Sequence, residues 1–167
     1  MTQVYTTRIL EKSDLTLILN WRNHPKIRNF MLTQHEISMD EHLCWFEKVQ
    51  HDSNSQQLLF ERDGDPFGYV QFKGVQPDGI TDWGFYVSPV APPGAGTELG
   101  KLALDYAFSQ LRVHKVCGQA LDFNAASIAL HRRLGFTQEG DLREQYYIQG
   151  AYCSLICFGL ISHEWNG

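Results

Sequence analysis

Two short stretches carry residue types and spacings that could do chemistry. The first is Pro92-Pro93-Gly94-Ala95-Gly96-Thr97, which follows an apolar run ending before Pro89 and precedes a helical apolar pattern. A strand, a Gly-x-Gly turn and a helix start in that order leave backbone N–H groups unpaired at the positive end of a helix dipole. Such a site binds phosphate or diphosphate. Glycine is needed where main chain must touch phosphate, and Pro92 and Pro93 stiffen the approach. The second stretch runs from Asn124 to Phe136 and contains Ser127, Leu130, His131, Arg133 and Gly135. A lone Gly-x-Gly is as often only a turn, so the pairing of the two stretches carries the argument.

The elements that must position these residues are legible in outline. Val4 to Leu10 reads as a strand. Ser13 is the expected N-cap of a helix carrying Leu15, Ile18, Leu19 and Trp21, ended or kinked by Pro25. Ser38 and Glu41 have capping-box spacing and open a second helix with Leu43, Phe46 and Val49 inward. Gln57–Arg62, Phe67–Lys73 and Ile80–Val87 read as strands separated by the turns Asp63-Gly64-Asp65-Pro66 and Pro77-Asp78-Gly79. A helix from about Thr97 carries Leu99, Leu102, Ala103, Tyr106, Ala107 and Leu111 at helical spacing. Lys115–Leu121 is a strand, Asn124 caps a helix closed by Gly135, and two long strands follow, the last over Tyr152–Ile161. This order predicts a mixed α/β sheet with helices on both faces.

Composition narrows the function classes. The 167 residues suit one domain, and 43% hydrophobic with 20% charged residues is ordinary for a soluble protein. A net charge of −5 argues against a nucleic-acid partner. No apolar run approaches the roughly 20 residues of a membrane span, and the N-terminus lacks an export-signal pattern. Cys44, Cys117, Cys153 and Cys157 form no Cys-x-x-Cys pair and read as buried thiols of a reducing, cytoplasmic compartment. Neither spacing nor nearby histidines suit a metal.

Together, the glycine turn and the Asn124–Phe136 element resemble the Gcn5-related N-acetyltransferase (GNAT) superfamily. Its second pattern is Asn-x-x-(Ser/Ala)-x-x-Leu-Tyr-x-x-x-Gly-Phe. The resemblance spans nearly the whole chain and implies the acyl-CoA N-acyltransferase fold: a central, mostly antiparallel mixed sheet in which strands 4 and 5 splay apart. It implies acetyl-CoA as co-substrate, its pantetheine amides pairing with main chain around Phe85 and Val87. The diphosphate would lie on the N–H groups of Gly94, Ala95, Gly96 and Thr97, with Asn124 and Arg133 as further contacts. Ala91 stands where the family usually has Gln or Arg. His131 stands at the family's tyrosine, which implies that it protonates the departing coenzyme A sulfur or hydrogen-bonds to it; the plainer reading is a histidine that lines the channel. No general base is placed by motif. Some relatives carry a carboxylate near Gln119, and a water chain to Asp82 or His42 would be an alternative.

Trp21-Arg22-Asn23-His24-Pro25, Phe30-Met31, His42, Leu142–Tyr147 and Phe158-Gly159-Leu160 are similar to a narrower group, the acetyltransferases of pseudaminic acid synthesis. That similarity implies acetylation of the 4-amino group of a UDP-linked 4-amino-4,6-dideoxy sugar, UDP-4-amino-4,6-dideoxy-N-acetyl-beta-L-altrosamine. It places Arg22, Met31, His42, Lys73 and Tyr86 around UDP: Arg22 and Lys73 for the diphosphate, His42 for phosphate or uridine, Met31 and Tyr86 against uracil. Trp21 and Trp45 could wall a pocket for the 6-deoxy methyl group. Two other readings stay open: acetylation of a protein or peptide N-terminus, and a non-catalytic coenzyme A sensor. The exposed late strands could pair across a homodimer.

Overall fold

The computed structural model describes residues 2–167 and is built on one seven-stranded sheet. The chain begins with β1 (Tyr5–Ile9) and a 3-10 turn over Lys12–Asp14, then α1 (Leu15–Asn23) and the short α2 (Pro25–Arg28). Ser13 does not cap α1. Asp14 turns back to accept from the Glu11 N–H at 2.8 Å, and Arg8 grips its carboxylate at 2.7 Å, so the Arg8–Asp14 ion pair shapes this corner. Pro25 acts as expected. His24 is held extended, at ψ 135°, because a residue before proline avoids the helical region, and α1 stops at Asn23. Pro25 then starts α2, with His24 Nδ1 accepting from the Lys26 N–H at 3.2 Å.

The capping box at Ser38 and Glu41 forms as read and opens α3 (Met39–Gln50). There follow β2 (Ser55–Arg62), β3 (Asp65–Lys73), β4 (Ile80–Val87), α4 (Ala95–Ser109), β5 (Lys115–Leu121), α5 (Ala125–Arg133), β6 (Thr137–Ile148) and β7 (Ala151–Ile161). The sheet order is β1-β2-β3-β4-β5-β7-β6. Every neighbouring pair is antiparallel except β4 and β5, which run parallel with α4 as their crossover.

The two faces are covered by different helices. On one, Val70, Phe72, Trp83, Val116 and Phe158 meet Leu99, Ala103 and Leu104 of α4 and Leu130 of α5. On the other, Leu59 and Tyr69 meet Leu15, Ile18 and Trp21 of α1 and Phe46 of α3. Full burial of each large apolar side chain contributes about 1.5–3 kcal/mol, so both layers hold the sheet between them. The expectation of four buried thiols is corrected. Cys153 is buried, Cys117 and Cys157 are half-buried at strand positions, and Cys44 is exposed because it lies on the outer side of α3. Among the described residues no helix is long and apolar enough to cross a membrane.

Candidate active site

The central feature is a fork. β4 and β5 pair only through Ile80–Lys115, Thr81–Val116 and Asp82–Cys117. Beyond Asp82 the two parallel strands separate, while β4 stays paired with β3 as far as Val87 and β5 stays paired with β7 as far as Leu121. Ser88 donates its N–H to Phe67 O at 2.8 Å, towards β3. Main-chain polar groups alternate in direction along a strand, so Phe85 and Val87 turn theirs into the fork. Their side chains pack on the α4 face, whereas Tyr86 points to the α1 face.

The glycine turn stands beyond the open end of β4. Gly94 is the N-cap of α4 at φ 89°, a left-handed conformation that L side chains rarely adopt, and no side chain caps the helix. Of the four N–H groups expected for an anion, two are spent inside the turn: Ala95 donates to Pro92 O at 3.1 Å and Thr97 to Gly94 O at 3.0 Å. Those of Gly94 and Gly96 have no partner among the described residues. Arg133, in the last turn of α5, donates Nη1 to Thr97 Oγ1 at 3.0 Å and so brings its charge to the same place. Asn124 accepts the Ser127 N–H at 3.2 Å, which makes it the N-cap of α5.

His131 lies below the fork, on the α4 face, and is 1% exposed. Its Nδ1 meets the carbonyl of Ser127 at 2.8 Å, and its Nε2 meets Trp83 Nε1 at 3.1 Å. An indole nitrogen can only donate and a carbonyl can only accept. The ring is therefore the neutral tautomer with its proton on Nδ1. Burial pulls its pKa below the usual value, partly opposed by the Ser127 carbonyl. The ring stacks on Phe158 at 4.7 Å and meets Phe136 edge-on. Transfer of a proton to a departing sulfur does not fit this placement, because Nε2 carries no proton and faces another donor.

A second polar group lies on the opposite face. Arg22 donates Nη2 to Thr33 O at 3.1 Å, while its Nη1 is buried without a partner. Burial lowers its pKa, and the neutral phenol of Tyr86 lies close by. His42 stacks on Trp45 at 5.0 Å, and its Nε2 is likewise buried and unpartnered. Burial pulls its pKa down, against the backbone of Leu15. Trp45 meets Tyr69, Tyr69 meets Tyr86, and Met31 packs on the same cluster. Burial pushes the Tyr86 hydroxyl well up, so it stays a neutral donor, and it points to Ile18 O at 3.4 Å. The structure thus gathers Arg22, Met31, His42 and Tyr86. Lys73 is not among them. It is exposed, opposite Asp82 at the closed end of the fork, and lies four positions along β3 from Tyr69, about 13 Å away.

Residues 6–137 match the family described as Acetyltransferase (GNAT) domain. The chain belongs to the GNAT acetyltransferases. PseH acetyltransferases from two strains of Campylobacter jejuni are 29% and 30% identical over 139 residues, covering 83% of this chain and 87% of theirs. Spermidine N(1)-acetyltransferase of Escherichia coli K12 is 26% identical over 160 residues, covering 95% of this chain and 86% of its own. Among solved structures, the Vibrio cholerae spermidine N-acetyltransferase in complex with CoA and spermine superposes with a TM-score of 0.86. It shares 25% identity, with 96% of each chain covered.

GNAT acetyltransferases use acetyl-CoA, and the chain's own residues fit it. The uncapped N–H groups of Gly94 and Gly96, the guanidinium of Arg133 and the main chain exposed at Phe85 and Val87 suit a diphosphate joined to an arm of amides. Trp83 and Gly118 were not singled out from sequence. A tryptophan within a strand carries no local signal of its partner, and the fork follows from pairing that spans distant parts of the chain.

Proposed function

We propose that this GNAT acetyltransferase transfers acetyl from acetyl-CoA to the 4-amino group of a UDP-linked 4-amino-4,6-dideoxy sugar, of the kind used in pseudaminic acid synthesis. One observation carries the choice of acceptor: the buried, unpartnered Nη1 of Arg22, with Tyr86 nearby and Met31 and Tyr69 in the cluster that Tyr86 joins. A buried guanidinium N–H left without a partner is costly unless a ligand supplies an acceptor. Aromatic faces beside it suit a flat base. The same guanidinium would repel a polyammonium acceptor.

Acetyl-CoA supplies the activated acetyl group as a thioester. Gly94, Gly96 and Arg133 bind the diphosphate, and the main chain of Phe85 and Val87 fixes the arm, so that proximity does much of the work. Arg22, with His42 and Tyr86, orients the acceptor. The attacking amine must be neutral, and a proton must leave it. Asp82, exposed at the last paired position of the fork, takes that proton through water, and the departing thiolate of coenzyme A takes up a proton from solvent. His42 is separated from β4 by Trp45 and Tyr69, and its part is binding. The edge strand β6 is exposed along most of its length, and a second copy of the chain would pair there.

The test is acetyl transfer from acetyl-CoA to three acceptors: the UDP-4-amino sugar, spermidine and a peptide with a free N-terminus. The nucleotide sugar should have the highest kcat/KM by a wide margin, and Arg22→Gln should raise its KM on the order of tenfold or more. Spermidine turned over as efficiently as the sugar, with Arg22→Gln neutral, would overturn the reading. Failure to release coenzyme A with any amine would leave the sensor.

A further inference from the structure

The pairing of β4 with β5 ends at Asp82 and Cys117. The next residue on each strand, Trp83 on β4 and Gly118 on β5, is the first to separate. At that level the indole of Trp83 meets the imidazole of His131. A Cβ on Gly118 would lie 2.3 Å from His131 Nε2 and 2.6 Å from Trp83 Nε1, so only glycine leaves room for the two rings above β5. Trp83 belongs to β4. His131 belongs to α5 and lies on Phe158 of β7. Their hydrogen bond therefore crosses the fork at the place where ladder bonds stop.

We propose that His131 is a positioning residue whose hydrogen bond to Trp83 fixes where and how widely β4 and β5 part. It thereby holds the main chain of Phe85 and Val87 in place for the arm of acetyl-CoA. The inference rests on the placement of that arm in the fork. Every degree of freedom of the imidazole is taken up. Nδ1 donates to Ser127 O, Nε2 accepts from Trp83, one face lies on Phe158, and Phe136 stands against the edge. A ring so held can keep Trp83 in one orientation. Phe85, two residues along β4, packs directly on Trp83 at 4.7 Å, so the orientation passes to the residue whose main chain faces the fork.

A positioning role and a proton-donor role predict opposite kinetics. His131→Phe keeps an aromatic ring and removes the acceptor for the indole. Trp83→Phe removes the donor and leaves His131 intact. Each should raise KM for acetyl-CoA about five- to tenfold, with kcat at saturating acetyl-CoA within about twofold and the shape of the kcat–pH profile unchanged. The double variant should be no worse than either single one, since one bond is lost in all three. His131→Gln offers a side-chain oxygen to the indole and should recover part of the affinity. The proposal is overturned if His131→Phe lowers kcat by a hundredfold or more with KM unchanged, or if Trp83→Phe leaves KM unchanged. Calorimetry on the wild-type chain separates the two layers. Absence of coenzyme A binding there sinks the fork as a cofactor site, whereas wild-type binding with unaltered variants sinks only the role of His131.

Discussion

The ring of Phe30 stands 5.9 Å from that of Phe123, tilted by 39°, and the pair joins the segment after α2 to the end of β5. Phe123 follows the end of β5. Phe30 follows α2, whose Lys26 Nζ donates to Pro89 O just past the end of β4. Both rings are 41–42% exposed, so each leans on the other more than on the core. The same segment also meets the β6–β7 turn, where Gln149 Nε2 donates to Gln34 Oε1 at 3.0 Å. Arg22 and Asn23 hold the intervening loop from α1, through Thr33 O and both main-chain groups of Ile37.

An aromatic pair contributes about 0.5–1.5 kcal/mol beyond its buried area. Phe30→Ala and Phe123→Ala should each raise the acceptor KM a few-fold, and the double variant should do little more. A double-mutant cycle on acceptor KM checks this. Additive effects would mean that the rings act separately and do not hold the segment after α2 against the end of β5 as a unit.

Arg133 and Thr97 give a prediction at the cofactor end. Arg133→Ala removes a cation beside the free N–H groups of Gly94 and Gly96, and coenzyme A affinity should fall about tenfold. The loss should shrink as salt is raised, because the guanidinium is exposed and screened. Thr97→Val keeps the charge but frees it from α4, and should cost less. Titration calorimetry at low and high ionic strength measures both. A loss from Arg133→Ala that does not vary with salt would point to packing rather than charge.

Local signals were the ones legible in the sequence. The Ser38–Glu41 box, the Asn124 cap, the Gly94 turn and the break at Pro25 each depend on residues within one turn of chain. The splay of strands 4 and 5 came from family resemblance, but its starting point at Asp82 and Cys117 is set by partners far apart in sequence. The resemblance groups Lys73 with Arg22, whereas strand register carries Lys73 to the closed end of the fork. The motif puts His131 where the family has its tyrosine, as a proton donor or hydrogen-bond partner to the sulfur or as a lining of the channel. Phe136, Phe158 and Trp83, brought in by three other segments, bury it and occupy both nitrogens.

Gly94 and Gly118 separate two reasons for a glycine. A Cβ at Gly94 would meet nothing within 4 Å, so Gly94→Ala pays only for left-handed backbone, about 1–2 kcal/mol. A loss of that size lowers Tm by roughly 2–4 °C per kcal/mol in a chain of this length. At Gly118 the added carbon would collide with both His131 and Trp83. Gly118→Ala should therefore destabilise more and also weaken acetyl-CoA binding through the fork. Melting curves with and without coenzyme A test the contrast, and equal shifts in Tm for the two variants would contradict it.

Burial of His131 predicts how stability depends on pH. Its pKa is lowered in the folded chain, from about 6.5 when unfolded. Above about pH 6.5 both states are neutral and the folded state is not penalised. As pH falls from there towards the lowered folded value, the unfolded chain takes up a proton that the folded chain refuses, and stability is lost. The influences on His131 are burial and the Ser127 carbonyl, and the side chains packed on it from β4 and β7, with Phe136, are uncharged, so no nearby charge reverses the sign. His42 adds to the same window, its pKa also lowered by burial. Asp14, held down by Arg8, acts in a lower range, its contribution present above about pH 3.9 and lost as pH falls through its depressed value. Tm should therefore fall between pH 7.5 and 5.5 in the wild type and fall less in His131→Phe. Equal falls in both would mean that the imidazole is not held neutral against Trp83.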